Sequence, residues 1–189
     1  MFDYEYSKKI IDLLALVEDK NREMIPFLTE KLAENIITDK ISTLTLNGIN
    51  FQMLLSEAAY GDENNDSLII YFNFNGLDYL YLGDIYQVVE HDLVNTYPSL
   101  NIDVMKLAHH GSKTSTSQKL LDTYFPKLTI ISSGYNNFYH HPSSEVTRRL
   151  LHSNIIYLNT AEVGDLKIVS ITGLTNFLLT KGGLFVIME

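Results

Sequence analysis

Two adjacent histidines stand where a buried strand is predicted to end. The apolar run over residues 104–108 stops abruptly at His109, His110 and Gly111. Open α/β sheets bind their ligands beyond the carboxyl ends of the strands. Imidazoles at that place are suited to ligating a metal or contacting a phosphate. The alternative is that one of the two histidines only supports the other from behind the site.

A stretch rich in serine and threonine follows the histidine pair. It covers residues 112–117 and leads into a helix that we predict from Gln118 to Tyr124. Hydroxyls and free N–H groups at the start of a helix can face an anion. Ser112 and Lys113 are therefore candidate contacts to a substrate phosphate. The alternative is that Thr116 or Ser117 simply caps the helix.

A carboxylate follows another predicted strand end. Asp84 comes directly after the sequence Tyr79–Gly83. A carboxylate and an imidazole from neighbouring strand ends suit a metal of intermediate softness. The alternative is that Asp84 is the N-cap of the next helix.

The segment after the strand predicted at Leu128–Ser132 is also polar. It contains Ser133, Asn137 and His141. An ordinary surface loop is the alternative interpretation. Polar groups at three successive strand ends nevertheless indicate the rim of an α/β active site.

The elements that must position these residues alternate between strand and helix. Strand–helix–strand order predicts an α/β fold built in layers. We expect one domain over residues 1–189, with a helical lead-in at 1–40 and the sheet and motifs at 41–189. The predicted helices are Tyr6–Val17, Met24–Ile36, Tyr86–Thr96, Gln118–Tyr124 and Ser144–His152. The predicted strands are Thr43–Leu46, Asn50–Leu55, Ser67–Phe74, Tyr79–Leu82, Val104–Leu107, Leu128–Ser132, Ile155–Leu158, Asp165–Ile171 and Leu184–Met188.

Composition restricts the class of protein. The 189 residues include no cysteine and carry a net charge of −9. The lack of cysteine excludes a disulfide framework and cysteine-based zinc sites. Scattered Lys and Arg disfavour an extended nucleic-acid surface, although one phosphate contact is compatible with them. No apolar run approaches the roughly 18 residues of a membrane span. We expect a cytoplasmic-type soluble domain, or a soluble piece of a membrane protein.

Several motifs in one order resemble a known family. They are LYLGD, DVMKLAHHGSKTSTS, PKLTIISSGYNNFYHHPSSEVTRRL and IIYLNT. Together they resemble the C-terminal half of the metallo-β-lactamase-fold hydrolases, and most closely the ComEC-type domain of competence and DNA uptake. The resemblance runs from about Asn65 to Ile171. It implies an αββα sandwich of mixed sheets, two zinc or manganese ions, and hydrolysis of phosphodiesters in nucleic acid.

The resemblance also implies roles for individual residues. Asp84 and His110 would be metal ligands. The candidates for contact with substrate and catalysis would be His109, His141 and Asn137. Apart from the resemblance, Ser112, Lys113 and Ser133 are expected to contact a substrate phosphate.

One part of the family pattern is missing from the sequence. The first metal motif, HxHxDH or HxDxDH, does not occur, and no histidine precedes His91. We therefore expect an N-terminally truncated domain with an incomplete metal site, completed or covered by a partner chain or a second copy. His109 and His110 are not expected to share one ion, because neighbours on an extended segment point to opposite sides. Three hypotheses remain open: a metal-dependent hydrolase, an inactive interaction module, and a half-enzyme completed by a separate N-terminal piece.

Overall fold

The computed structural model describes residues 43–55, 58–170, 176–180 and 185–188. The helical lead-in predicted at 1–40 lies outside the described residues. So do the two helices predicted at 6–17 and 24–36.

The first half of the main sheet is antiparallel. Two-residue turns join its strands in pairs, at Asn47-Gly48 and Asn75-Gly76. All four turn residues have φ between 51° and 80°, as tight hairpins with the matching twist require. The strands are β1 (Thr43–Leu46), β2 (Ile49–Leu54), β3 (Ile69–Phe74) and β4 (Leu77–Tyr81).

The second half of the sheet is parallel. Its neighbours run in the order β4-β5-β6-β7, and each pair is parallel. The carboxyl ends of these four strands therefore meet at one edge, as predicted for Asp84, His110 and the 132–142 loop. The strands are β5 (Val104–Lys106), β6 (Leu128–Ile131) and β7 (Ile156–Asn159). The helices are α1 (Gln87–Thr96), α2 (Gln118–Tyr124), α3 (Ser144–His152) and α4 (Thr160–Val163).

The two faces of this sheet pack against different layers. One face buries Leu80, Met105 and Ile131 against apolar residues of α1, α2 and α3. The other face buries Tyr79, Val104 and Leu128. Leu166 and Ile168 of a second sheet pack on that side. The second sheet is antiparallel and contains β8 (Leu166–Ser170), β9 (Asn176–Thr180) and β10 (Phe185–Met188).

The predicted α/β class is confirmed. The described residues form a helix layer, a mixed sheet and a second sheet, which are three successive layers of an αββα order. Three short elements of the described residues were not predicted: β9, α4 and a 3₁₀ turn at Ala108–Gly111. None of the described helices has the length and apolar character needed to cross a membrane.

Candidate metal and phosphate site

The carboxylate and imidazole predicted as metal ligands face each other at the sheet edge. His110 Nε2 lies 3.8 Å from Asp84 Oδ1, and both side chains are partly exposed. His110 Nδ1 lies 2.6 Å from the carbonyl oxygen of Ser132. A carbonyl only accepts, so Nδ1 carries the proton and Nε2 keeps its lone pair. That lone pair points to the side of the imidazole where Asp84 lies.

Asp84 does not cap the following helix. The helix α1 begins at Gln87 and its N-cap is Tyr86, which makes no side-chain capping bond. The backbone of Asp84 is instead held by its N–H, which donates to Ser67 Oγ at 3.1 Å. The carboxylate is therefore free of the capping role that was the alternative to ligand binding.

The histidine pair lies in a turn, and the prediction of an extended segment is wrong. His109 has φ 46° and His110 has φ 55°, both in the left-handed region. The N–H of His109 donates to the carbonyl of Gly83 at 3.0 Å, which ties this turn to the end of β4. The two rings have centroids 6.3 Å apart and are inclined at 71°. Alternation along a strand therefore does not separate these two side chains.

His109 and His141 each leave a buried nitrogen without a partner. Their Nδ1 atoms are buried and lack a hydrogen bond among the described residues. Their ring centroids are 6.0 Å apart, and Tyr86 stacks on His109 at 5.4 Å. Buried polar atoms are nearly always satisfied by protein, water or a ligand. These two nitrogens are thus available to something other than the described protein atoms.

The environment of His141 favours its neutral form. Burial lowers the pKa of its imidazole, and the neighbouring imidazoles of His109 and His110 lower it further. A neutral imidazole carries one N–H donor and one lone pair. It can therefore donate to a phosphate oxygen or accept a proton near neutral pH.

A cavity of about 450 Å³ lies beside this group of histidines. Its volume is in the range of pockets that hold small molecules. It brings together four of the residues predicted for the site. The lining residues are His110, Ser132, Ser133, Gly134, Asn137, Tyr139 and His141.

Asn137 organises the loop that forms one wall of the cavity. Its Nδ2 donates to the carbonyls of Gly134 at 3.0 Å and His141 at 2.7 Å. Its Oδ1 accepts from the N–H of His141 at 2.8 Å. These bonds make Asn137 a positioning residue for His141, whereas its predicted contact with substrate remains a prediction.

Ser133 joins the cavity to the last parallel strand. Its hydroxyl donates to Asn159 Oδ1 at 2.7 Å, and its N–H donates to Thr160 Oγ1 at 3.0 Å. Thr160 returns a bond to the carbonyl of Ser133 at 2.9 Å. Asn159 and Thr160 were not predicted as site residues. Both lie at the end of β7, and polar residues at a fourth strand end were the signal that could have marked them as site residues.

Ser112 and Lys113 do not line the cavity. Ser112 is buried, and its hydroxyl bonds Thr114 Oγ1 at 3.0 Å. Lys113 is exposed, and its carbonyl accepts from Gln87 Nε2 at 3.3 Å. Their predicted contact with phosphate therefore has no support from the shape of this cavity.

The anion at the start of α2 is part of the protein. Glu90 is fully buried, and its carboxylate accepts from the N–H groups of Thr116 and Ser117, the latter at 2.6 Å. Ser117 also caps α2 through Leu120 N at 3.2 Å. The expectation that these N–H groups face a ligand is wrong. Glu90 is not among the residues predicted for the site, because sequence alone does not reveal which helical glutamate another helix covers.

Gly111 allows the histidine turn to pack against the 132–142 loop. It has φ 77°, and an added Cβ would lie 2.8 Å from Cβ of Pro142. Gly76 is a matched position, with φ 80° and no heavy atom within 4 Å of an added Cβ. Each position carries the left-handed cost of about 1–2 kcal/mol for a non-glycine residue.

We expect Gly111→Ala to lower the free energy of unfolding by about 1–3 kcal/mol more than Gly76→Ala, because only Gly111 adds overpacking. Urea denaturation of the two variants measures the difference. Equal losses would show that the close approach to Pro142 is relieved without cost.

The donor set fits half of a metal site. No three His, Asp or Glu side chains gather closely enough to hold an ion within the ranges that the structure describes. Asp84 and His110 alone offer one oxygen and one lone-pair nitrogen toward the same side. A catalytic zinc normally has three protein ligands. The described pair therefore matches the chemistry of the metal but not its full complement of ligands.

Comparison with known proteins gives the family context. No protein-family profile matches the chain. It is 34% identical over 125 residues to ComE operon protein 3 of Bacillus subtilis, and 33% identical over 138 residues to competence protein ComA of Neisseria gonorrhoeae. It is 34% identical over 122 residues to recombination protein 2 of Haemophilus influenzae. The homologues of this chain are ComEC-type competence proteins. The relation predicted from the motifs is thus confirmed.

These ComEC-type relatives are much longer than the chain. The alignments cover 66%, 72% and 64% of this chain but only 16%, 19% and 15% of the three relatives. The similarity is therefore to one region of those competence proteins. Among solved structures, a Thermotoga maritima protein described as a Zn-dependent hydrolase of the metallo-β-lactamase superfamily overlaps 60% of this chain and 57% of its own, with 17% identity and a TM-score of 0.40.

Proposed function

We propose that this chain is a phosphodiester-binding domain of the metallo-β-lactamase-fold, ComEC-type class, acting on nucleic acid. Asp84 and His110 would hold one side of a zinc or manganese site, and further ligands would come from another polypeptide segment. The observation that carries the proposal is the 3.8 Å approach of Asp84 Oδ1 to a His110 Nε2 whose tautomer is fixed by Ser132.

The chain's own residues would then bind and orient a phosphate. A metal held there would supply Lewis-acid polarisation of the phosphoryl group. His141, kept neutral by burial, would donate its N–H to a phosphate oxygen or accept a proton at its free nitrogen. Asn137 would keep His141 in place through both ends of its amide. His109 would face the substrate side.

The proposal is tested by supplying the missing ligands. The full chain is assayed for zinc- and manganese-dependent cleavage of a single-stranded oligonucleotide, alone and mixed with the polypeptide encoded immediately upstream. We expect weak metal binding and no turnover alone, and turnover in the mixture. Tight stoichiometric metal and robust turnover by the chain alone would contradict a half-site.

A second candidate is an interaction module without catalysis. It is favoured by the lack of a third close metal ligand in the described part of the chain. It predicts no turnover in any mixture, and partner binding that Asp84→Asn leaves unchanged. The same mixing experiment therefore separates the two candidates.

A further inference from the structure

Three exposed aromatic side chains stand on the loop beside the cavity. Tyr135, Phe138 and Tyr139 are 82%, 87% and 75% exposed. Other large apolar side chains with high exposure lie elsewhere, such as Phe125 at the end of α2, Leu151 in α3 and Ile156 in β7. A cluster of exposed rings loses hydrophobic stabilisation unless a ligand covers it, so it indicates a binding surface.

The rings lead from solvent to the cavity. Phe138 and Tyr139 meet edge to face, with centroids 5.6 Å apart at 85°. Tyr139 in turn lies nearly parallel to His141, at 5.8 Å and 18°. Tyr139 and His141 both line the cavity. The rings of Phe138, Tyr139 and His141 thus form a row that ends at the proposed phosphate position.

The loop that carries the rings is internally braced. Asn137, between Tyr135 and the other two rings, bonds the backbone at Gly134 and His141. The N–H of His140 also donates to the carbonyl of Asn137 at 3.0 Å. The rings are therefore displayed on a fixed backbone, which lowers the entropy lost when a ligand covers them.

The charge of this chain does not provide an alternative source of affinity for a nucleic acid. The chain has a net charge of −9. Two of its basic residues near the site have internal partners. Arg149 Nη1 donates to the carbonyls of Ser115 and Thr116 at 3.0 and 2.7 Å, and Lys106 donates to the carbonyl of Leu107 at 3.3 Å. Stacking of an unpaired base on an aromatic ring adds affinity for each base that stacks and tolerates any sequence. An anionic membrane surface would instead be attracted by a basic cluster.

We propose that Tyr135, Phe138 and Tyr139 form a stacking surface for the unpaired bases of a single-stranded nucleic acid whose backbone enters the cavity. This rests on the proposed function, since it names the strand form that the site accepts. A duplex keeps its bases inside the helix, so it does not offer their faces to these rings.

The experiment compares strands with and without bases. Binding of a fluorescent thymidine homopolymer and of an abasic strand of equal length is measured by anisotropy, without added metal. We expect Phe138→Ala and Tyr139→Ala each to weaken thymidine-strand binding roughly tenfold, and Phe138→Ala, which lies outside the cavity lining, to leave abasic-strand binding unchanged. Phe125→Ala removes an exposed ring from another element of the chain. It should change binding of neither the thymidine strand nor the abasic strand. Circular dichroism melting checks that each variant folds. Phe138→Leu keeps an apolar side chain but should still lose affinity for the thymidine strand.

Several results would overturn the stacking surface. One is equal binding of the thymidine strand by Phe138→Ala and the unaltered chain. Another is equal binding of abasic and thymidine strands by the unaltered chain. A third is a Phe138→Ala variant that no longer binds vesicles of phosphatidylcholine and phosphatidylglycerol but still binds DNA. That result would assign the rings to a membrane surface. The proposed function is tested separately, by cleavage of the abasic strand in the presence of metal and the upstream polypeptide. The abasic strand has no bases, so its cleavage does not depend on stacking.

Discussion

Alanine in place of His110 should weaken zinc binding by this chain at least about 100-fold. Loss of a residue that only supports a metal ligand already costs about 10- to 100-fold in metal affinity, and His110 is itself the proposed ligand. The imidazole supplies the lone pair on Nε2 that faces Asp84 at 3.8 Å. Asp84→Asn should have a similar effect, because it keeps the size of the side chain and removes the negative charge. Zinc affinity is measured by competition with a chromophoric chelator.

The matched control for this loss is His152→Ala. His152 is exposed at the end of α3, and it has no place in the cavity lining. Its substitution removes one imidazole from the chain without touching the candidate site. If His152→Ala weakens zinc binding as much as His110→Ala, the metal is bound by scattered surface histidines and the proposed ligand pair is wrong.

Alanine in place of Glu90 is expected to destabilise the fold by about 2–5 kcal/mol, because unsatisfied buried donors cost about 1–3 kcal/mol each. The N–H groups of Thr116 and Ser117 lose their acceptor at the start of α2. Glu90→Gln should lose less, since its amide oxygen still accepts one bond. Urea denaturation gives the free energy of unfolding for each variant.

Glu145→Ala is the control for this effect. Glu145 lies in the first turn of α3 and is exposed. Substitution of such a surface residue usually changes stability by no more than about 0.5 kcal/mol. Equal losses for the two glutamates would mean that the bonds of Glu90 to the 116–117 backbone do not contribute to stability.

The destabilisation by Glu90→Ala should reach the candidate site. Ser115 Oγ donates to the carbonyl of Ala108, at the residue before the histidine pair, at 3.0 Å. Ser115 is in turn held from the other side, because Arg149 binds its carbonyl. Glu90, Ser115 and Arg149 thus form a connected support for the left-handed turn at His109 and His110.

Local sequence signals predicted the parts of the fold that depend on local geometry. The Asn-Gly pairs at 47–48 and 75–76 favour hairpins because few other residues adopt positive φ at low cost. The apolar runs before Asp84 and His109 indicated strands that end at one edge. Alternation of strands with helices is typical of parallel neighbours, and the pairing of β4, β5, β6 and β7 has that direction.

The sequence could not predict what non-local packing decides. His109 and His110 have no local reason to adopt positive φ, because their turn is held by Gly83, Ser115 and the close approach of Pro142 to Gly111. Glu90 has the same neighbours in sequence that an exposed helical glutamate has. Its burial follows from the packing of α1 against α2, which only the folded chain defines.

The parallel order of the last strands also bears on synthesis of the protein. Ser133 bonds Asn159 and Thr160, so one wall of the cavity is tied to the end of β7. A ribosome must release the chain beyond Thr160 before β7 can pair with β6 and secure that wall. A nascent chain that already displays the histidine turn therefore has no finished pocket. Synthesis itself delays the moment at which this pocket is complete.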